Sequence, residues 1–204
     1  MEGFADRLAQ IQSTLAEAAR KAGRDVSEVE LVAVSKTHPP EAVVEALEAG
    51  QLLFGESRVQ EAKAKNSLVP SRARWHFIGH LQKNKVRQAL PFFELFHGVD
   101  SLDLARDLNR IAAEEGLFPR ILLEINIAGE ATKYGFSPEQ VRAQLEELLT
   151  LDRLQIEGVM LIAPFAPEPE DSRPYFAALR ELRDQLQTEF RVPLPRLSMG
   201  MSGD

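Results

Sequence analysis

One lysine lies where its amine could act as a nucleophile. Lys36 directly follows Leu31–Ser35, a mainly apolar run of residues that favour β-strands. Withdrawal from water lowers the pKa of a lysine, and the neutral amine can attack an aldehyde to form a Schiff base. Lys36 is therefore a candidate for covalent attachment of a carbonyl compound. A lysine whose ammonium reaches past the strand end into water would produce the same pattern.

A second candidate lies near the end of the sequence, where small residues and hydroxyls alternate. The segment Ser198-Met-Gly-Met-Ser-Gly203 follows a predicted strand. Small residues allow backbone N–H groups to approach an anion, and hydroxyls add further donors. Loops after the last strands of a (β/α)₈ barrel are a common phosphate site. The segment predicts a phosphate site, with a flexible glycine-rich chain end as the alternative.

The histidines suggest a ligand contact more readily than a metal site. His76 lies within a predicted strand over residues 74–79, where it could stack on a ligand ring or form a hydrogen bond in the core. The chain contains no cysteine, which excludes disulfides and thiolate chemistry. The other histidines lack the spacing of common metal motifs. They are His38, His80 and His97.

Charge and composition indicate an ordinary globular protein. Hydrophobic residues make up 44% of the 204-residue chain and charged residues 27%. The net charge of −7 argues against nucleic acid as a partner. Three basic residues at a predicted helix start could contact a phosphate or an acidic partner, but a solvated helix face is favoured. They are Lys83, Lys85 and Arg87.

Hydropathy provides no sign of a membrane or an export route. No apolar run reaches the roughly 18 residues of a membrane-spanning helix. The segment 1–20 mixes charged and apolar residues and lacks the apolar centre of a secretory signal. We therefore expect a cytoplasmic protein that does not contact a membrane.

Strand and helix patterns alternate along the chain. An amphipathic helix is predicted over residues 4–22, before the first strand. The predicted strands are 31–36, 52–57, 74–79, 95–100, 120–126, 155–162 and 196–201. The helices that follow them are predicted at 41–49, 59–65, 82–90, 102–115, 138–150 and 173–190. Such βα units predict a parallel sheet within a single α/β domain over residues 1–204.

A barrel explains this pattern better than an open sheet does. No GxGxxG motif follows any strand, so a dinucleotide-binding open sheet has no support. Polar residues follow most of the strands, and a barrel brings all such ends to one face. They include Lys36, Ser57, His76, Asp100, Asn126 and Ser198. A complete barrel of this kind has eight strands, and seven are predicted here.

Several motifs, in order along nearly the whole chain, resemble one family. The run Leu31-Val-Ala-Val-Ser-Lys-Thr-His-Pro-Pro40 resembles the lysine strand of the pyridoxal phosphate homeostasis proteins. Further matches are Phe54-Gly-Glu-Ser-Arg-Val-Gln-Glu61, Trp75-His-Phe-Ile-Gly79, Val99-Asp-Ser101, Ile125-Asn-Ile127, Gly158-Val-Met160 and Leu197-Ser-Met-Gly-Met-Ser202. Together they are far more specific than any one of them.

The resemblance implies a barrel of the alanine racemase N-terminal domain kind, the fold-type III scaffold for pyridoxal 5′-phosphate (PLP). It implies a Schiff base between PLP and Lys36. It also implies phosphate contacts from Ser198, Gly200 and Ser202. The pyridine ring would be lined by Ser57 and His76. Such proteins act in intracellular PLP homeostasis without strong catalysis, are mostly monomeric, and have PLP-requiring apoenzymes as candidate partners.

Three departures from the family pattern stand out. Ser57 replaces the usual asparagine of Gly-Glu-Asn, and His80 replaces the usual proline of Gly-Pro-Leu-Gln. The third departure is the expected absence of the final β/α unit, which would leave unpaired edges at strands one and seven unless a partner covers them. Two alternatives follow: a fold-type III enzyme resembling an amino-acid racemase, or a relative that does not bind PLP and acts through protein contacts.

Overall fold

The computed structural model describes residues 3–130 and 132–201. The chain divides into two units with their own internal contacts, Met1–His76 and Phe77–Asp204. Ser202 was predicted as a phosphate contact and lies outside the described residues. None of the described helices has both the length and the apolarity needed to cross a bilayer.

The first unit alternates helices with short parallel strands. Its elements are α1 (Phe4–Lys21), β1 (Ala33–Val34), α2 (Pro40–Glu48), β2 (Leu53–Glu56), α3 (Val59–Asn66) and β3 (Arg74–Phe77), which reaches the boundary. β1 and β2 are parallel, with Ala33 beside Phe54 and Val34 beside Gly55. This register fixes which polar residues lie side by side where the two strands end.

The first strand is shorter than the sequence predicted. A strand was expected over residues 31–36, and β1 contains only Ala33–Val34. Near the start of the predicted strand, the Gln51 side chain forms hydrogen bonds to main-chain carbonyl groups. Its Nε2 donates to the carbonyls of Leu31 at 2.9 Å and of Leu53 at 2.6 Å. The chain then turns away after Ser35, since Thr37 has a left-handed φ of 66°.

Among its described residues, the second unit contains four parallel strands in chain order. After a 3₁₀ turn at Lys83–Lys85, its elements are α4 (Val86–Ala89), β4 (Leu95–Val99), α5 (Leu102–Glu115), β5 (Arg120–Glu124), α6 (Pro138–Leu149), β6 (Gln155–Met160), α7 (Arg173–Phe190) and β7 (Arg196–Ser198). β5 lies between β4 and β6, and β7 pairs with β6. The predicted helix over 82–90 is thus a 3₁₀ turn and one helical turn, while the other predicted helices are confirmed within about two residues.

Local signals in the sequence explain where the helices of this unit begin and end. The Ser101 hydroxyl accepts a hydrogen bond from the Leu104 N–H at 3.3 Å at the start of α5. Gly116, with φ of 68°, ends the same helix in the left-handed conformation that glycine favours. Ser137 caps α6 in the same way, and Pro138 occupies its first helical position.

The four strands of the second unit curve around a common interior. Side chains from β4, β5 and β6 form one buried cluster, Leu95, Leu122 and Met160. His97 Nδ1 of β4 lies 2.7 Å from Ser198 Oγ of β7, although two strands separate β4 from β7. A flat sheet would hold those two strands about 14 Å apart, beyond the reach of these side chains. The curvature supports the predicted barrel geometry over an open sheet.

The basic residues near α4 pair with acidic residues on α5. Lys83 forms ion pairs with Asp103 and, at 3.3 Å, with Asp107. Arg87 pairs with both Glu114 and Glu115. All of these side chains are at least partly exposed, which agrees with the interpretation of a solvated helix face. Their acidic partners lie on the neighbouring helix α5.

Gly158 permits the close approach of β6 and β7, which gives a stability prediction. A Cβ at this position would lie 1.9 Å from the Arg196 carbonyl oxygen, so the strands would have to separate. We expect Gly158→Ala to lower the free energy of unfolding by about 2 kcal/mol or more. Thermal and urea unfolding measure this change.

The matched control is Gly3→Ala, because an added Cβ there has its nearest neighbour at 3.7 Å. Gly3 is the N-cap of α1, where alanine is less favourable than glycine, so the control should cost at most about 1 kcal/mol. Equal stability of both variants would show that β6 and β7 do not need the glycine.

Candidate functional site

Lys36 presents an accessible amine at the end of the first strand. The residue is exposed in the turn that follows β1, and it makes no ion pair or hydrogen bond through its side chain within the described part of the chain. Of the two interpretations of Lys36, this exposure agrees with the one in which the ammonium reaches water, because the chain leaves the sheet directly after Ser35. Its accessibility suits reaction with a carbonyl compound from solution.

A buried cluster of charged residues lies beside the backbone of Lys36. Lys65 of α3 is 4% exposed, and its ammonium donates to Glu56 Oε1 at 2.6 Å, Glu61 Oε1 at 2.8 Å and the Ser35 carbonyl at 2.6 Å. These three acceptors match the three donors of an ammonium group. Ser35 Oγ also donates to Glu56 Oε1 at 2.8 Å, which links β1 to β2.

The charges in this cluster stabilise one another. Burial acts to lower the pKa of Lys65, but hydrogen bonds to Glu56 and Glu61 outweigh it, so the pKa lies above its ordinary value. The Lys65 hydrogen bond and the Thr37 N–H lower the pKa of Glu61. Lys65 and Glu61 therefore carry their charges near neutral pH. Glu56 Oε2 is buried and accepts no hydrogen bond within the described residues.

Ser57 directly follows β2, the strand paired with β1, and His76 lies within β3. The register of β1 and β2 places Ser35 beside Glu56. Lys36 and Ser57 are the next residues of these two neighbouring segments. Ser57 is half-buried, whereas His76 is 2% exposed within β3. The burial of His76 agrees with the core interpretation, and a contact of either residue with a cofactor remains a prediction.

The predicted phosphate residues lie at the end of β7. Ser198 is half-buried, and its hydroxyl lies 2.7 Å from Nδ1 of the buried His97. If His97 donates from Nδ1, the Ser198 hydroxyl hydrogen is available to a phosphate oxygen. Gly200 is exposed and has φ of 109°, a conformation that side chains rarely adopt. A serine hydroxyl and a glycine-containing loop form a donor set suited to an anion.

A second group of ionisable side chains lies where β4 and β5 end. His80 Nδ1 is 2.6 Å from Asp100 Oδ2, and the His80 ring stacks on Tyr134 with the centroids 3.9 Å apart. Glu124, only 7% exposed, is the last residue of β5. Burial and the charge of Asp100 raise the pKa of Glu124 to about 7, while His80 acts in the opposite direction.

Sequence reasoning missed Lys65, Glu61 and Glu124. The i,i+4 spacing of Glu61 and Lys65 on α3 is a signal of pairing, but it is also typical of an exposed helix face. Glu124 ends an apolar strand, as Lys36 was predicted to do, and that position could have marked it as a buried acid. Within residues 3–130 and 132–201, no cluster of three metal-ligating side chains occurs.

The elevated pKa of Glu124 predicts a stability that falls with increasing pH. The folded chain retains the proton up to about pH 7, whereas the unfolded chain releases it near 4.5. The protonated Glu124 carboxyl therefore contributes fully to the free energy of unfolding below pH 4.5. This contribution is lost as the pH rises to about 7, at up to about 1.4 kcal/mol per pH unit. We expect Glu124→Gln to increase the unfolding free energy relative to the parent at pH 8 and to change it little at pH 4.5.

Unfolding in urea at both pH values measures this difference. Glu146→Gln, at an exposed position on α6, is the matched control and should show no such pH dependence. An equal effect of Glu124→Gln at both pH values would mean that this carboxyl titrates normally.

Comparisons with known proteins place these features in a family. The family model for the alanine racemase N-terminal domain matches residues 7–204. The pyridoxal phosphate homeostasis protein of Aquifex aeolicus is 41% identical over 98% of this chain and 88% of its own length. The corresponding protein of Pseudomonas aeruginosa is 40% identical over 100% of this chain and 87% of its own.

A solved structure agrees with the sequence comparison. PipY of Synechococcus elongatus, determined without PLP, is 40% identical and superposes with a TM-score of 0.87 over 98% of this chain and 90% of its own. The structure of PipY with PLP bound has a TM-score of 0.80 over 93% of this chain. The predicted α/β fold of the alanine racemase kind, with seven strands among the described residues, is confirmed. The chain belongs to the alanine racemase N-terminal domain family and, within it, to the pyridoxal phosphate homeostasis proteins.

Proposed function

We propose that this chain binds PLP through Lys36 and acts in intracellular PLP homeostasis. The observation that carries the proposal is an exposed amine, free of ion pairs within the described residues, whose flanking backbone is held by a buried cluster. When bound, PLP supplies an aldehyde and an electron-withdrawing ring. The bound PLP in PipY, 40% identical to this chain, supports the same ligand here.

The residues present suit each chemical group of PLP. Lys36 provides the amine for the aldehyde, and Ser198 with the loop at Gly200 provides donors for the phosphate. We propose that Ser202 adds a hydroxyl to that set and that Ser57 and His76 line the ring. One domain over residues 1–204 would hold these groups together.

The same proposal includes a role without sustained catalysis. Racemisation requires proton donors on both faces of the substrate, and the chain has only two tyrosines, Tyr134 and Tyr175. Tyr134 stacks on His80. We propose a cytoplasmic monomer that supplies PLP to apoenzymes or withholds it from them. The alternative of a racemase-like enzyme predicts turnover of an amino acid that Lys36→Ala abolishes.

Covalent labelling tests the role of Lys36. The protein is mixed with PLP, its visible spectrum is recorded, and borohydride reduction is followed by peptide mass mapping. We expect one pyridoxyl group on Lys36 and the loss of both the absorbance band and the label in Lys36→Ala.

The matched control is Lys63→Ala, which removes an exposed lysine of α3 and should leave the band unchanged. Labels scattered over several surface lysines, with no loss in Lys36→Ala, would reject the proposal. They would favour a relative that acts through protein contacts.

A comparison of two ligands tests the role of Ser198. Ser198→Ala removes a hydroxyl donor, so we expect it to weaken PLP binding about tenfold, as the loss of a hydrogen bond to a charged group does. Pyridoxal, which lacks the phosphate, should bind the parent and the variant within about twofold of each other.

Titration of the absorbance band measures both affinities. Ser67→Ala, at an exposed position of the first unit, is the control. Equal weakening for the two ligands would show that Ser198 does not contact phosphate.

A further inference from the structure

The buried cluster of Lys65, Glu56 and Glu61 reaches the backbone on both sides of Lys36. Before it, the Lys65 ammonium donates to the Ser35 carbonyl at 2.6 Å. After it, the Thr37 N–H donates to Glu61 Oε1 at 2.8 Å. The same Glu61 oxygen also accepts from Lys65 at 2.8 Å. The ion pair of Lys65 and Glu61 therefore links the two peptide units that flank the lysine.

The turn after Lys36 needs such support. Thr37 has φ of 66°, and a β-branched residue is strongly disfavoured in the left-handed region. A conformation of this kind persists only where surrounding contacts determine it. The bond from Thr37 N–H to Glu61 is such a contact, and the charge on the carboxylate strengthens it.

Stability alone is a weak explanation for these charges. A buried ion pair contributes little to folding compared with apolar side chains of similar size, because both charges must leave water. The contacts of this cluster converge on main-chain groups around an exposed amine. Holding a reactive group in place before reaction removes part of the entropic cost of bond formation.

We infer that Lys65, Glu56 and Glu61 are positioning residues that hold the Lys36 backbone so that its amine is presented for covalent attachment of the cofactor. The inference rests on the proposed function. Lys65 binds the Ser35 carbonyl, Glu56 holds Lys65 and the Ser35 hydroxyl from β2, and Glu61 binds the Thr37 amide. None of the three needs to contact the cofactor itself.

A double-mutant cycle on the full chain tests the inference. Glu61 is the residue to change, because its side chain is 26% exposed and Lys65 would keep two of its acceptors. Apparent Kd values for PLP are measured in the parent, Glu61→Ala, Lys36→Ala and the double variant. Glu61→Ala should weaken binding about tenfold when Lys36 is present and less than twofold when position 36 is alanine.

Two further variants separate positioning from general destabilisation. Glu61→Gln keeps an oxygen that can accept from Thr37 N–H, so it should restore most of the affinity. Glu61→Met preserves the side-chain length without an acceptor, should behave as Glu61→Ala does, and replaces it if that variant does not fold. Glu48→Ala, at an exposed position on α2, is the control and should match the parent.

Amide hydrogen exchange of the cofactor-free protein provides a readout independent of PLP. The Thr37 amide should exchange at least tenfold faster in Glu61→Ala than in the parent, and Glu61→Gln should restore its protection. Melting temperatures of all variants establish that each is folded under the conditions of the assay.

The outcomes distinguish the inference from the function on which it rests. If Glu61→Ala weakens binding equally with and without Lys36, or not at all, the positioning role is overturned while covalent binding stands. If Lys36→Ala alone leaves PLP binding unchanged and the label does not map to Lys36, the proposed function is wrong and the positioning role is rejected with it.

Discussion

Parallel pairing of successive strands is the constraint on which the rest of the structure depends. A parallel partner cannot follow through a tight turn, so each pair of successive strands is joined through a helix that returns the chain to the starting edge. The carboxyl ends of neighbouring strands therefore lie together within each unit. In the first unit this places Ser35 beside Glu56. In the second, the curvature of the sheet brings His97 to Ser198 across two intervening strands.

Burial of charge beside a reactive amine is the second theme. The Lys65 ammonium is tolerated inside the first unit because three acceptors surround it. The exposed Lys36 and the buried Lys65 thus divide two tasks that a single lysine could not perform together. In the proposed function Lys36 provides the accessible nucleophile, while the Lys65 ammonium holds main-chain groups in place. This division explains how an amine can remain free to react although the backbone that carries it is held.

The group of Glu124, Asp100 and His80 has a different character. Burial and the charge of Asp100 raise the pKa of Glu124 to about 7, so this one carboxyl titrates near neutral pH. His80 brings both an Asp100 contact and a Tyr134 stack to the end of β4. The first cluster is thus suited to holding a fixed structure. The second contains a carboxyl, Glu124, whose charge changes near neutral pH.

The sequence by itself determined the order of strands and helices and most helix ends, and it marked Lys36 as the candidate nucleophile. Hydrophobic periodicity, Ser101, Gly116 and Pro138 are local signals, and their physical effect does not depend on distant residues. Only the tertiary structure decided that Lys36 is exposed and that Lys65 is buried. Both outcomes depend on which side chains meet after the strands pair, and the i,i+4 spacing of Glu61 and Lys65 is equally compatible with an exposed helix face. The short β1 also depends on tertiary contacts. The Gln51 side chain binds the Leu31 carbonyl, which is 20 residues away in the sequence, so the residues around β1 do not predict this hydrogen bond.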